Sequence, residues 1–228
     1  LGDVYKRQLL GLACVLIYIM PANAITKSIG ITAVSSTIDS TVTDDVDSNG
    51  TIDTTKDISN DIGYGSLFFE VSSENVGPGS ITFGIDYIPA SAEFDSRSTS
   101  QESCKAKAAG ACSQTSGTNS GTVDVDNHIT VYIQPGITTS NGLNIFATLG
   151  YVTADAEAEV KSISSTNKTE SLSLDGVKLG VGIKKVFGND MFLRLEYAET
   201  DYDVISVTTE NSSKVSADID NTTLALSI

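Results

Sequence analysis

The sequence predicts an all-β chain in which eight antiparallel strands run up and down and close into a transmembrane barrel. Three observations carry that prediction. Several stretches alternate strictly between apolar and polar or small residues, the period-two signature of a strand with two unlike faces. Aromatic residues recur at the ends of these stretches. Short turns and long polar connections also fall alternately along the chain, as expected of a barrel with short turns at one membrane face and long loops at the other.

The alternation is clearest in Met191–Tyr197, where Met191, Leu193, Leu195 and Tyr197 share one face and Phe192, Arg194 and Glu196 the other. Ile81, Phe83, Ile85 and Tyr87 repeat the design against Thr82, Gly84 and Asp86. So do Leu143, Ile145, Ala147, Leu149 and Tyr151 against Asn144, Phe146, Thr148 and Gly150. The remaining strands are expected at Ser28–Ile38, Gly63–Ser72, Thr122–Gln134, Val177–Ile183 and Val215–Ile228. The Ile81 strand is expected to run on toward Phe94. Leu172 and Leu174 have the opposite parity to Val177, Leu179, Val181 and Ile183, so a β-bulge is expected near Asp175-Gly176.

Short turns follow the second, fourth and sixth strands, at Asn75–Gly79, Pro135–Gly142 and Gly188–Asp190. Long polar segments, Asp39–Asp61 and Asp95–Gly121, follow the first and third strands, and shorter polar loops follow the fifth and seventh. Tyr64, Tyr87, Tyr151 and Tyr197 then all fall toward the long-loop end and read as an aromatic girdle at the bilayer–water interface. The alternative is a soluble, secreted or periplasmic β-sandwich with a binding or adhesion role, in which the same aromatics pack across strands.

Residues 1–24 read as a secretory signal peptide: Lys6 and Arg7, the apolar run Leu9–Met20, and the cleavage site Ala22-Asn23-Ala24. The chain opens without Met, and Leu1–Tyr5 is expected to be a fragmentary or artefactual start. Residues 25–228 form the barrel domain. The chain carries 14 Lys and Arg against 29 Asp and Glu, a net charge of −15. Such a surface repels phosphate backbones, so nucleic acid is not an expected partner.

With these features the chain resembles the small eight-stranded outer-membrane barrels of Gram-negative bacteria, the OmpA-, OmpX- and OmpW-like porin-family domains. The signal peptide, the strands ITFGIDY, NIFATLGY and MFLRLEY, and the closing NTTLALSI carry the likeness. It implies a monomer in the bacterial outer membrane, surrounded by lipid and lipopolysaccharide and inserted by the barrel-assembly machinery. It implies either a structural and surface-interaction role or limited diffusion of small solutes. Such barrels usually end in an aromatic residue, whereas this chain stops at Ile228. Either it is short by a few residues or it departs from that signal.

Three constellations are chemical candidates. Glu70, Asp86, Lys178, Lys184, Arg194 and Glu196 are expected to point into the lumen, as a stabilising polar network or as a selectivity lining. Asp45, Asp47, Asn49 and Asp53 match the spacing of a calcium loop, but Lys56 stands where a bidentate Glu belongs. A weak calcium site and a solvated acidic loop are both open readings, and no other cofactor is expected. Cys104 and Cys112 lie close together in one exported loop, and their pairing as a disulfide is expected. His128 is the only histidine, and no motif around it orients a nucleophile, so the chain is read as a non-enzyme.

Overall fold

The computed structural model describes residues 25–45, 50–52, 54–76, 79–90, 92–106, 112–161, 168–188, 190–208 and 214–228. Nine strands are present: β1 Ile25–Asp45, β2 Thr54–Val76, β3 Gly79–Ile88, β4 Ala92–Ala106, β5 Cys112–Thr138, β6 Leu143–Lys161, β7 Lys168–Phe187, β8 Met191–Thr208 and β9 Lys214–Ser227. Eight of them close a ring in the order β1, β2, β3, β5, β6, β7, β8, β9, every pair antiparallel. Up to Leu67 of β2 and Ile88 of β3 this closure leaves no exposed edge, the condition for crossing hydrocarbon with strands. Ile31 and Ile228 exchange both backbone hydrogen bonds, at 3.0 Å each, where the first and last strands meet.

The apolar faces of the alternating stretches point outward. Ile29 and Ile31 on β1, Leu67 and Phe69 on β2, and Leu179 and Val181 on β7 are exposed, as are Leu193 and Leu195 on β8 and Leu224 and Leu226 on β9. The outward residues of β7 from Val177 down to Phe187 are apolar except Lys185 near the lower end, and the stretch is 11 residues by its numbering, close to the ~10 needed for a tilted strand to span a bilayer.

The strands do not stop at the top of this band. β1 has 21 residues, about 70 Å at ~3.3 Å per residue. Tilted by ~40°, it rises about 50 Å, roughly twice the ~25 Å apolar band. The polar segments expected to be loops are therefore mostly sheet. β1 and β2 stay paired out to Asp44↔Thr54, and β4 pairs with the first half of β5 out to Ala106↔Cys112. Dense Ser, Thr and Asp hid a sparse apolar period in the first of these segments, where Val42 and Ile58 continue the inward parity of Ile38 and Ile62 that flank it.

The third strand does not run on to Phe94. It ends at Ile88, before Pro89, and the chain resumes at Ala92 as β4, paired with β5 alone. A proline has no N–H to give a ladder.

The bulge expected at Asp175-Gly176 is absent. The β6–β7 register runs unbroken from Leu143↔Lys185 to Val160↔Lys168. The parity of the leucines changes for another reason. Below Gly176, apolar Val177, Leu179, Val181 and Ile183 face lipid; above it, Leu174 faces inward and Ser171 and Ser173 face water. β6 inverts the same way, with Ile145 and Leu149 outward below and Val152, Ala154 and Ala156 buried above. β8 changes from Leu195 and Tyr197 outward to Glu199 and Asp201 outward. Val125, Val152, Ala154, Ala156, Leu174 and Tyr202 form an apolar core inside this upper section, with Leu172, Ile205 and Ile219 packed against it. The register shifts of the upper section fall on β4, between Phe94 and Arg97, on β5, between Asp126 and Ile129, and on β8, between Tyr202 and Ile205.

The outer surface of the upper section is acidic. Asp39, Asp220 and Asp201 stand directly opposite one another across β1, β9 and β8. Partial burial, then the carboxylates of Asp201, Asp218 and Asp39, hold the Asp220 carboxyl above its ordinary pKa.

This inversion predicts that polar substitution of a leucine damages different sections of the protein on either side of Gly176. Leu179→Arg, on the lipid face, is expected to destabilise the barrel by about 2–4 kcal/mol. Leu174→Asn is expected to loosen the upper section while leaving heat-modifiable electrophoretic migration intact. Denaturant unfolding in lipid vesicles and limited proteolysis from outside separate the two; equal effects in both assays would refute the inversion.

Candidate functional site

Period-two alternation places one residue in two of each strand inside the ring, and an eight-stranded ring is just wide enough for those side chains to fill. Glu70, Asp86, Lys178, Lys184, Arg194 and Glu196 all lie on that inward face. Five of them are joined by ion pairs in two layers, and Asp86 stands beside the upper one.

The lower layer centres on Glu70 of β2, which is fully buried. It is paired with Arg194 of β8, accepts a hydrogen bond from the Lys184 Nζ of β7 at 3.2 Å, and accepts another from the Tyr132 hydroxyl of β5 at 2.8 Å. Arg194 also donates to Ser227 Oγ of β9 through Nε at 3.2 Å and Nη2 at 3.1 Å. Ser227 in turn meets Thr32 Oγ1 of β1 at 2.9 Å. Two aromatic rings lie against the cations: Lys184 Nζ stands 4.0 Å from the centre of the Phe192 ring, and the Arg194 guanidinium 4.7 Å from that of Phe68. The two rings pack on each other at 5.8 Å.

The upper layer centres on Glu196 of β8. It pairs with Lys178 at 2.8 Å and accepts from Gln134 Nε2 at 2.9 Å and Thr148 Oγ1 at 3.2 Å. Asp86 of β3 accepts from Ser66 Oγ at 2.7 Å. Beside both layers lies a small cavity, bordered by Thr32, Arg194, Glu196 and Ser227 below and by Tyr64, Asp86, His128, Lys178 and Tyr202 above. His128 Nε2 meets the Tyr202 hydroxyl at 3.0 Å across the lumen, and the apolar core of the upper section begins at Tyr202.

Glycines make room for the rings. A Cβ on Gly84 would lie 2.2 Å from the Tyr132 ring, and one on Gly182 would lie 2.4 Å from the Phe146 ring. Neither approach is tolerable, so large and small residues interlock across the lumen.

Tyr64 is not part of an outward girdle. It shares the inward parity of Phe68 and Glu70 and borders the cavity, a correction that strand parity alone supplies. Tyr87 and Tyr197 face outward at 38% and 47% exposure, and Tyr151 has the outward parity of Leu149. The sequence reading passed over Tyr132, Gln134 and Ser227. Tyr132 and Gln134 alternate with Ile129, Val131 and Ile133, so the face opposite those three residues is their signal.

Of the calcium candidates, Asp47, Asn49 and Asp53 lie outside the described residues, while Asp45 Oδ2 accepts from the Gly50 N–H at 2.8 Å. Among the described residues no group of three or more His, Cys, Asp or Glu is placed to hold a metal. The side chains of Cys104 and Cys112 also lie outside the described residues; in the backbone register Cys104 stands opposite Gln114, and Cys112 opposite Ala106. Residues 1–24, the expected signal peptide, are likewise outside them.

A closed up-and-down ring, apolar outside and polar within, defines a β-barrel membrane protein. The outer membrane protein beta-barrel domain family model matches residues 12–228, and the chain belongs to that family. Its place is the bacterial outer membrane. No curated protein matches it. Among solved structures, it is similar to the attachment invasion locus protein Ail of Yersinia pestis, determined with the heparin analogue sucrose octasulfate. The identity is 12% and the TM-score 0.34, covering 86% of this chain and 98% of that one. It is also similar to the outer membrane protease OmpT of Escherichia coli, at 8% identity and TM-score 0.46, covering 90% and 96%. A third likeness is to Neisserial surface protein A, at 10% identity and TM-score 0.30, covering 88% and 98%.

Removing one partner of the lower layer strands the others. Glu70→Gln leaves Arg194 and Lys184 without their carboxylate and is expected to cost about 3–5 kcal/mol. A double-mutant cycle of Glu70→Gln with Arg194→Met, read by urea unfolding, is expected to show strong coupling; additive effects would mean that the pair is not a unit.

Proposed function

We propose that this barrel is a sealed membrane anchor for a projecting extracellular sheet, with a structural and surface-interaction role and no catalytic one. The carrying observation is the division of labour along each strand. The membrane-level lumen is crossed by neutralised ion pairs and aromatic rings, and the section above it holds an apolar core. In this reading the charges hold strands together across the ring and do not select ions. The acidic, strand-built upper section is the part that meets other molecules. Outer-membrane lipid and lipopolysaccharide surround the apolar band, the barrel-assembly machinery inserts it, and the barrel works as a monomer.

Planar-bilayer recording tests the seal. The folded protein is expected to add no discrete conductance steps. Reproducible steps would instead support limited solute diffusion, with Lys178, Arg194 and Glu196 as its lining.

A further inference from the structure

The ring is closed by β3 against β5, and that closure ends at Ile88↔His128. Above it the chain continues as β4, which pairs with β5 and leaves β2 behind. β2 pairs with β3 only from Leu67 downward. Among the described residues, then, the upper part of β2, from Thr54 to Ser66, has β1 on one side and no strand on the other.

The free groups can be identified. Ile31 exchanges hydrogen bonds with Ile228 of β9, so odd-numbered residues of β1 turn their backbone groups to β9 and even-numbered ones turn theirs to β2. An antiparallel residue points its N–H and C=O to the same side, and its neighbours point theirs to the other. In the β1–β2 register even residues oppose even ones. Thr55, Asp57, Ser59, Asp61, Gly63 and Gly65 therefore present their backbone N–H and C=O groups to the open side. A row of unpaired groups on an extended strand is a template for another strand.

The side chains state what that strand should carry. On the outward face the edge shows Asp57 and Asp61, held by Thr41 and Thr37 of β1 at 2.9 and 2.6 Å, with Asp39 beside them on β1. On the inward face it shows Ile58 and Ile62. Lys56 is the cation of this stretch and has the inward parity. Two copies meeting edge to edge would oppose like charges, which is unfavourable in cross-strand pairs.

We propose that the upper edge of β2 is a strand-addition site for an extended peptide that alternates basic residues outward with apolar residues inward. This rests on the anchor reading above, because it uses the projecting sheet as the contacting surface.

The test uses the full folded barrel in lipid nanodiscs and a nine-residue peptide alternating Lys and Val. Binding is followed by fluorescence anisotropy and by hydrogen exchange at residues 54–66. The peptide is expected to bind, and to slow exchange of the odd-numbered amides by about tenfold or more. Ser59→Pro removes a free N–H and no ladder bond, so it is expected to abolish binding while heat-modifiable migration persists. Asp57→Asn with Asp61→Asn is expected to weaken binding about fivefold or more and to flatten its salt dependence. Should Ser59→Pro fail to fold, a peptide N-methylated at alternate residues tests the same bonds against the wild type. Equal binding of the N-methylated or an acidic Glu–Val peptide would overturn the proposal. So would odd-numbered amides already protected without peptide, whether by a second copy or by the chain's own β4. Conductance steps with peptide binding retained would overturn only the sealed lumen.

Discussion

Each long strand of this barrel changes solvent partway along its length, and the rest of the structure depends on how the side chains meet that change. In hydrocarbon the apolar face must point out; in water it must point in. A strand keeps its parity through a regular ladder. The residues must therefore exchange faces while the backbone continues unchanged, as β6 and β7 do around Val152 and Gly176. A membrane barrel and a water-exposed sheet are thereby built end to end on one set of hydrogen bonds. The first is held by lipid outside and ion pairs inside, the second by a core of its own.

The interior of the membrane section follows from that arrangement. With the apolar residues spent on lipid contact, polar and charged groups are left to fill a narrow space. Isolated charges there would be costly, and the two layers give Glu70 and Glu196 each a cation and hydroxyl or amide donors, while Asp86 accepts from the Ser66 hydroxyl. The network links strands that are not neighbours: Glu70 of β2 is tied to Tyr132 of β5, Lys184 of β7 and Arg194 of β8. These ties brace the ring across its diameter, where backbone hydrogen bonds act only around its circumference.

Much of this was legible in the residues. Period-two alternation identified the lipid faces and the six inward charges, and the spacing of turns gave the number of strands in the ring. Other features were hidden because the pattern has meaning only once the solvent is known. The leucines Leu172 and Leu174 looked like a slipped register, since an apolar face was assumed to keep one orientation. The polar stretches after the first and third strands read as loops because polar residues dominate them, although in the first of them Val42 and Ile58 keep the strand period of Ile38 and Ile62 on either side. Tyr64 was assigned by its level along the barrel, when its parity with Phe68 and Glu70 was the better guide. Which cation meets which carboxylate depends on the ring's shear and curvature, which no local pattern encodes.

The unbroken register of β6 and β7 also bears on assembly errors. A slip of one residue reverses every side chain in a strand. In β7 it would drive Lys178 and Lys184 into lipid and, in the same movement, turn Leu172 and Leu174 out into water. The mistake would be penalised in two solvents at once, by desolvated charge in one and exposed hydrocarbon in the other. Lipid and water thus proofread the same strand independently, and a misaligned intermediate gains no refuge by moving up or down through the membrane surface.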